Sequence, residues 1–104
     1  MTELEFQRQV TDLAELLGWS WVHFRPAQTS KGWRTPVSGP LGKGWVDLVL
    51  VRERDGRTIF AELKGDKGKC SVEQLEVHDT LLRAGQHVEV WRPAGFDRIA
   101  EVLR

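Results

Sequence analysis

Two strongly apolar stretches near the middle of the chain decide its fold: residues 46–51 read VDLVLV, and residues 58–64 read TIFAELK. Short runs rich in β-branched and large apolar residues are typical of buried β-strands. Asp55-Gly56 lies between the two runs and is a strong signal for a turn between strands. The sequence therefore predicts an antiparallel hairpin with strands over about 46–53 and 58–64.

Charged side chains interrupt both predicted strands, at Asp47 and at Glu62-Leu63-Lys64. Burying an ionised carboxylate is costly unless a cation or hydrogen-bond donors compensate it. Because side chains alternate along a strand, Glu62 and Lys64 are expected on one face and Leu63 on the other. Two carboxylates beside an amine can hold a divalent cation for phosphodiester hydrolysis. From the spacing alone, a solvated charge pair at the strand ends is an equally good explanation.

A resemblance to a known family favours the first explanation. Gly44-Trp45-Val46-Asp47 followed by Glu62-Leu63-Lys64 resembles the PD-(D/E)XK nuclease superfamily, and nearly the whole chain resembles a stand-alone VRR-NUC domain of the small phage and bacterial type. The resemblance includes an N-terminal Glu, the loop at 31–36 and a Gln soon after the Lys. Val46 stands where the superfamily name has a proline, a position that shapes the backbone and binds no metal.

The resemblance implies a metal-dependent endonuclease that cuts DNA at junctions, flaps or other branches. Asp47 and Glu62 supply the oxygen ligands that Mg²⁺ or Mn²⁺ prefers, and the resemblance adds the carbonyl of Leu63 as a third. Lys64 would position or deprotonate the attacking water, or stabilise the transition state as a point charge, and the sequence leaves both roles open. A non-catalytic nucleic-acid-binding module is the alternative, and the intact Asp47, Glu62 and Lys64 argue against it.

Glu3 is a further catalytic candidate, in the first helix. It lies one turn before Phe6 on the apolar stripe of that helix, whereas Glu5 and Thr2 fit a capping box. An acid in the first turn is also favoured by the helix dipole alone. Since the resemblance places an acidic residue here in the active site, Glu3 is favoured over Glu5.

Gln74 is the last catalytic candidate, near the start of the helix that follows the motif. It could reach Lys64, the attacking water or the phosphate. It also fits a capping box with Ser71, and the two roles need not exclude each other.

The long segment after the first strand carries basic and hydroxyl side chains and has no acid between 25 and 43. Such side chains suit contacts to phosphates, and an exposed Trp suits stacking on an unpaired base. A solvated loop, with its Trp packed on the sheet edge or on a second subunit, is the competing interpretation. The predicted nucleic-acid contacts, which include two lysines of a later polar turn, are Arg25, Thr29, Lys31, Trp33, Arg34, Lys67 and Lys69.

The periodicities predict the order α-β-β-β-α-β-α, with the first helix ending at Gly18 and a segment from Pro26 to Lys43 read as loop. The helix over about 72–84 should be the crossover that makes strand 88–91 parallel to its neighbour. The predicted fold class is α/β, with a restriction-endonuclease-like αβββαβ core and a mixed central sheet flanked by helices.

Length and composition set further limits. A chain of 104 residues is expected to form one domain over 1–104. Its formal net charge is zero, so nucleic-acid binding must come from local charge. The lone Cys70 rules out an internal disulfide, and the three histidines, in no ligand spacing, are expected to be structural or at the surface. Without an apolar run of membrane length or a signal-peptide pattern, we expect a cytoplasmic protein, phage-encoded or bacterial.

The aromatic content predicts a homodimer. Five Trp and four Phe residues exceed what one small core is expected to hide. A two-fold arrangement would present two active sites to a symmetric DNA junction.

Overall fold

The structure, a computed structural model, describes the backbone of all 104 residues and every side chain except those of residues 27–29 and 34. Two single 3₁₀ turns, at Glu53–Asp55 and Pro93–Gly95, connect longer elements. Those elements are α1 (Glu3–Leu16), β1 (Ser20–His23), β2 (Ala27–Thr29), β3 (Gly32–Arg34), β4 (Leu48–Arg52), β5 (Arg57–Leu63), α2 (Val72–Arg83), β6 (His87–Trp91) and α3 (Phe96–Leu103).

Four of the strands form a mixed central sheet in the order β1-β4-β5-β6. The β1–β4 and β4–β5 pairs are antiparallel, and β6 is parallel to β5 because α2 carries the chain back across the sheet. Gly56 closes the β4–β5 turn at a φ of 64°, in the left-handed region that glycine favours. The predicted α/β order and the mixed sheet flanked by helices are confirmed.

The prediction of one long loop from Pro26 to Lys43 is wrong in its first part. Strands β2 and β3 form a separate two-stranded antiparallel sheet, in which Thr29 pairs with Gly32. Gly32 has a φ of 97°, so the lack of a side chain lets the chain reverse there. Composition alone indicated a loop because turn-forming residues outnumber apolar ones in this segment.

Strand β4 begins two residues later than predicted, so Asp47 precedes it. The carboxylate of Asp47 accepts a hydrogen bond from the backbone N–H of Leu63, and this side-chain contact takes the place of a ladder bond at the end of the sheet. Lys64 likewise lies just beyond the end of β5.

The two faces of the sheet are covered by different helices. Ile59 and Ala61 belong to the larger core, which α1 and α3 complete with Phe6, Val10 and Leu103 among others. On the opposite face Phe60 packs with a smaller cluster built from α2 and the segment before β4, with Val46, Val77 and Leu81 at its centre. Since side chains alternate along β5, Glu62 lies on the α2 face.

The fold buries three of its nine Trp and Phe side chains and partly buries five more, so the aromatic content by itself gives little support for the homodimer, which stays a prediction. Of the nine Trp and Phe residues, all of them described, Trp33 alone is exposed, at 64%. Trp45 packs edge-to-face between Phe24 and Phe60, with ring centroids 5.9 Å apart in both pairs. The Arg52 guanidinium lies 4.7 Å from the centre of the Trp19 ring. None of the described helices is long and apolar enough to cross a membrane.

Candidate active site

A cavity of about 600 Å³ opens at the end of the central sheet, where β4 begins and β5 ends. The first turn of α1, the end of β1 and the first turn of α2 contribute to its walls. All six residues that the sequence predicts as catalytic or metal-binding line this one cavity: Glu3, Asp47, Glu62, Leu63, Lys64 and Gln74. Their roles in catalysis stay predictions.

Gly44 brings the segment that carries Asp47 against helix α2. Its φ is 94°, and a Cβ atom placed there would lie 2.5 Å from the backbone of Glu73 and 2.7 Å from that of Gln74. Only glycine permits so close an approach. Asp47 is then held through both its backbone and its side chain: its carbonyl accepts from the N–H of Phe24 at 2.9 Å, and its Oδ2 accepts from the N–H of Leu63 at 2.7 Å.

Glu62 is fully buried, and only one of its two carboxyl oxygens has a hydrogen-bond partner among the described residues. Its Oε1 lies 3.2 Å from Nε2 of His78, while its Oε2 is buried and has no hydrogen-bond partner among the described residues. Burial, followed by a side-chain hydrogen bond with Asp47 and the charge of that carboxylate, raises the pKa of Glu62 from 4.5 to about 9, and Lys64 opposes that shift. Without a compensating cation, Glu62 is therefore neutral at pH 7.

His78 faces Glu62 from the middle of α2. Burial lowers the pKa of His78, so both partners favour their neutral forms and their contact is a neutral hydrogen bond. The sequence analysis took His78 as a structural or surface residue and missed this contact. The available signal was its position four residues after Gln74, which places both side chains on one face of the helix.

Lys64 and Gln74 reach the cavity from opposite elements. The backbone N–H of Lys64 donates to the carbonyl of Trp91 at 3.0 Å, which fixes the chain just beyond β5. The capping box of Gln74 is confirmed: its N–H donates to Ser71 Oγ at 3.1 Å, and its Oε1 accepts from the N–H of Ser71 at 2.8 Å. Because that oxygen is engaged, any catalytic contribution of Gln74 would come from its amide N–H groups.

Helix α1 contributes Glu3 and Gln7, one turn apart, to the cavity wall. Glu3 is exposed at this wall, whereas Glu5 does not line the cavity and its N–H donates to Thr2 Oγ1 at 3.1 Å. Gln7 is 4% exposed and was missed from the sequence. The signal was a polar residue directly beside Phe6 on the buried stripe.

His23, at the end of β1, was also missed. It is half-buried in the cavity wall, and its Nδ1 accepts from Nε of Arg25 at 3.3 Å. Burial and the charge of Arg25 lower the pKa of His23, against an opposing effect of Asp47. With Nδ1 accepting, the neutral ring carries its proton on Nε2 and can donate from there.

The structure places some of the predicted nucleic-acid contacts at the cavity and others away from it. Arg25 and Lys69 line the cavity, and Lys67, in the same turn as Lys69, is exposed outside it. Lys31 and Trp33 belong to the segment of the β2–β3 hairpin, likewise outside the cavity wall. The side chains of Thr29 and Arg34 lie outside the described residues.

The described side chains contain no group of three His, Cys, Asp or Glu residues that could hold a metal ion by themselves. Asp47 and Glu62 provide two carboxylates. A magnesium ion commonly takes one or two carboxylates and keeps several waters, so the pair fits such an ion if water and phosphate complete its shell. The buried, unpartnered Oε2 of Glu62 is consistent with that fit.

The chain is similar to a solved structure described as a VRR_NUC domain. The two share 22% identical residues, the match covers 97% of this chain and 92% of that chain, and the TM-score is 0.67. No protein-family model matches the sequence, and no curated protein matches it. The VRR-NUC fold expected from the resemblance is thereby confirmed.

Proposed function

We propose that the protein is an endonuclease that hydrolyses DNA phosphodiester bonds with Mg²⁺ or Mn²⁺ as cofactor. The observation that carries this proposal is the convergence of Asp47, Glu62 and Lys64 on one cavity, with Oε2 of Glu62 buried and unpaired among the described residues. In its ionised form Glu62 would carry a buried acceptor without a partner, which is costly, and a hard divalent cation is the partner that carboxylate oxygens favour. The nuclease-type fold supports the same reading.

Asp47 and Glu62 would hold the cation, with the carbonyl of Leu63 as a third ligand. The hydrogen bond from Leu63 N–H to Asp47 Oδ2 ties one ligand to the strand that carries the other, so their spacing is set by the sheet. When bound, the cation lowers the pKa of a coordinated water and neutralises charge on the phosphate.

Lys64 would complete the chemistry from the same end of β5. Its ammonium holds the attacking water or stabilises the non-bridging phosphate oxygens as a point charge. The amide of Gln74 and Nε2 of His23 are further donors for those oxygens at the cavity wall. Hydrolysis then joins the water oxygen to phosphorus as the bond to the leaving sugar oxygen breaks, and the leaving oxygen takes up a proton.

The substrate we propose is branched DNA, such as a four-way junction or a flap. Arg25 and Lys69 at the cavity would contact the phosphates beside the scissile bond. The exposed Trp33 would stack on a base that is unpaired at a branch point. This preference comes from the family resemblance, and the basic cavity rim is compatible with it.

A homodimer would bring two such cavities to one junction. The proposal of a homodimer is supported by helix α2, where Val72, Leu75 and Leu82 share one face and are each at least half exposed. A second copy of the chain could cover this face and leave both cavities open.

The test is cleavage of labelled duplex, single-stranded, flap and four-way DNA with Mg²⁺, Mn²⁺ or EDTA. We expect metal-dependent cuts that are strongest at branches and absent in Asp47→Asn. Asp12→Asn is the matched control, because Asp12 is exposed on α1 and does not line the cavity. Binding without cleavage under every metal condition would instead identify a non-catalytic nucleic-acid-binding module.

A further inference from the structure

Gln7 has a buried oxygen that no part of the described protein satisfies. The residue is 4% exposed, and its Oε1 has no hydrogen-bond partner among the described residues. Buried polar atoms in folded proteins nearly always have a partner, and exceptions call for an explanation such as a bound ion or water. Gln7 lines the same cavity as Asp47, Glu62 and Lys64, so a group bound in that cavity is a candidate for the missing partner.

Thr11 determines which way the Gln7 amide faces. Thr11 Oγ1 donates its hydrogen to the carbonyl of Gln7 at 3.1 Å, and it accepts from Nε2 of Gln7 at 3.3 Å. A reversed amide would accept from the Thr11 hydroxyl, which could then no longer donate to the carbonyl of Gln7. In the structure the nitrogen of Gln7 faces Thr11, and the unpaired group is the oxygen.

An unpaired amide oxygen requires a donor or a cation. No three acidic, histidine or cysteine side chains among the described residues are grouped so that they could hold a metal ion, so a divalent cation held by Asp47 and Glu62 would keep much of its hydration shell. The waters of that shell are donors in need of acceptors on the cavity wall. A neutral oxygen supplies such an acceptor without adding a third negative charge to the Asp47–Glu62 pair.

We propose that Gln7 is a positioning residue that accepts a hydrogen bond from the hydration shell of the divalent cation held by Asp47 and Glu62. The inference rests on the proposed function. Outer-shell partners of this kind typically change metal affinity by about 10- to 100-fold when they are removed. Gln7 would thus raise the affinity for the cation without touching it.

The experiment measures Mn²⁺ binding to the DNA-free protein by calorimetry, which needs no activity. Gln7→Met removes the acceptor and keeps an unbranched side chain of similar length, so the packing of α1 is preserved. We expect Mn²⁺ affinity to fall about tenfold in Gln7→Met. Gln7→Glu keeps an acceptor and should bind at least as well as wild type. Gln9→Met is the matched control, because Gln9 is an exposed glutamine of the same helix, and its affinity should not change.

Thermal unfolding in EDTA separates this role from a structural one. Gln7→Met deletes an unpaired buried acceptor but also the hydrogen bond from Gln7 to Thr11, and because these two effects oppose each other its metal-free form should unfold at close to the wild-type temperature. Unchanged Mn²⁺ affinity in folded Gln7→Met would overturn the inference. If the unfolding temperature of this variant were also lower, the role of Gln7 would be in the packing of the fold. Wild type that binds no divalent cation would refute the proposed function as well, so the two failures are distinguishable.

Discussion

The imidazole Nε2 of His78 lies 3.2 Å from Oε1 of Glu62, and this buried contact joins helix α2 to strand β5. It engages one oxygen of the carboxyl group, and the other, Oε2, has no partner in the described part of the chain. A metal-ligating carboxylate held in this way presents one oxygen in a constant direction, because its other oxygen is fixed.

His78→Leu should lower both stability and cation affinity. The substitution leaves Oε1 of Glu62 buried and unpaired, which costs about 1–3 kcal/mol in the free energy of unfolding. Released from its partner, Glu62 should bind Mn²⁺ about tenfold more weakly. A double-mutant cycle with Glu62→Leu, measured by urea denaturation, should give a coupling of at least about 0.5 kcal/mol. Additive effects would show that the contact contributes nothing of its own.

Substitutions of Asp47 should distinguish its contribution to stability from its contribution to cleavage. Asp47→Asn keeps a carbonyl oxygen for the N–H of Leu63 but loses the charge, so its stability should be close to wild type while cleavage disappears. Asp47→Ala loses the hydrogen bond too, and its free energy of unfolding should fall by about 1 kcal/mol. Chemical denaturation and a cleavage assay check both variants. Cleavage at the wild-type rate by folded Asp47→Asn would remove Asp47 from the metal site.

The metal-free protein should become less stable as the pH rises. The pKa of Glu62 is 4.5 in its unperturbed form and about 9 in the folded chain, so between these values the folded state keeps a proton that the unfolded state releases. The free energy of unfolding therefore falls with increasing pH across this window. Glu62→Gln should remove this contribution and be more stable than wild type at pH 8. Urea titrations in EDTA from pH 5 to pH 8.5 test this, and parallel pH profiles of the two proteins would contradict it.

Lys64→Ala should abolish turnover and leave DNA binding within a few-fold. The substitution removes one charge from the cavity and neither proposed carboxylate ligand. Loss of a proton-transfer or charge-stabilising group typically costs about 10²–10⁴ in rate. Single-turnover cleavage and gel shifts in Ca²⁺ measure the two effects separately. A variant that fails to bind DNA would make Lys64 a docking residue.

Lys69→Ala and Lys67→Ala form a matched pair. Both lysines are exposed in the turn after β5, but only Lys69 lines the cavity. Nη1 of Arg92 donates to the carbonyls of Gly65 and Gly68 at 2.6 Å, which holds this turn in place. We expect Lys69→Ala to weaken DNA binding more than Lys67→Ala and to reduce the dependence of binding on salt. Equal effects of the two substitutions would show that the turn acts only through its total charge.

Local patterns in the sequence were enough to predict every α-helix and strand except β2 and β3, and to predict the acids and the lysine that line the cavity. Apolar runs with Asp55-Gly56 between them predict the β4–β5 hairpin, and that hairpin alone brings Asp47 near Glu62 and Lys64. The capping box of Ser71 and Gln74 is likewise contained in four consecutive residues. These features were predictable because each depends on residues close together in the chain or joined by one short turn.

Tertiary structure decided the rest of the site. Gln7 and Thr11 are ordinary helix residues until the sheet covers them, and that burial leaves the Gln7 oxygen without a partner among the described residues. His78 contacts Glu62 although the two are 16 residues apart, because the parallel crossover lays helix α2 against strand β5. Whether a polar group is buried, and what it then faces, depends on the packing of distant segments. The pKa of Glu62 and the orphaned oxygens of the cavity follow from that packing, whereas the identity of the two acids follows from the sequence alone.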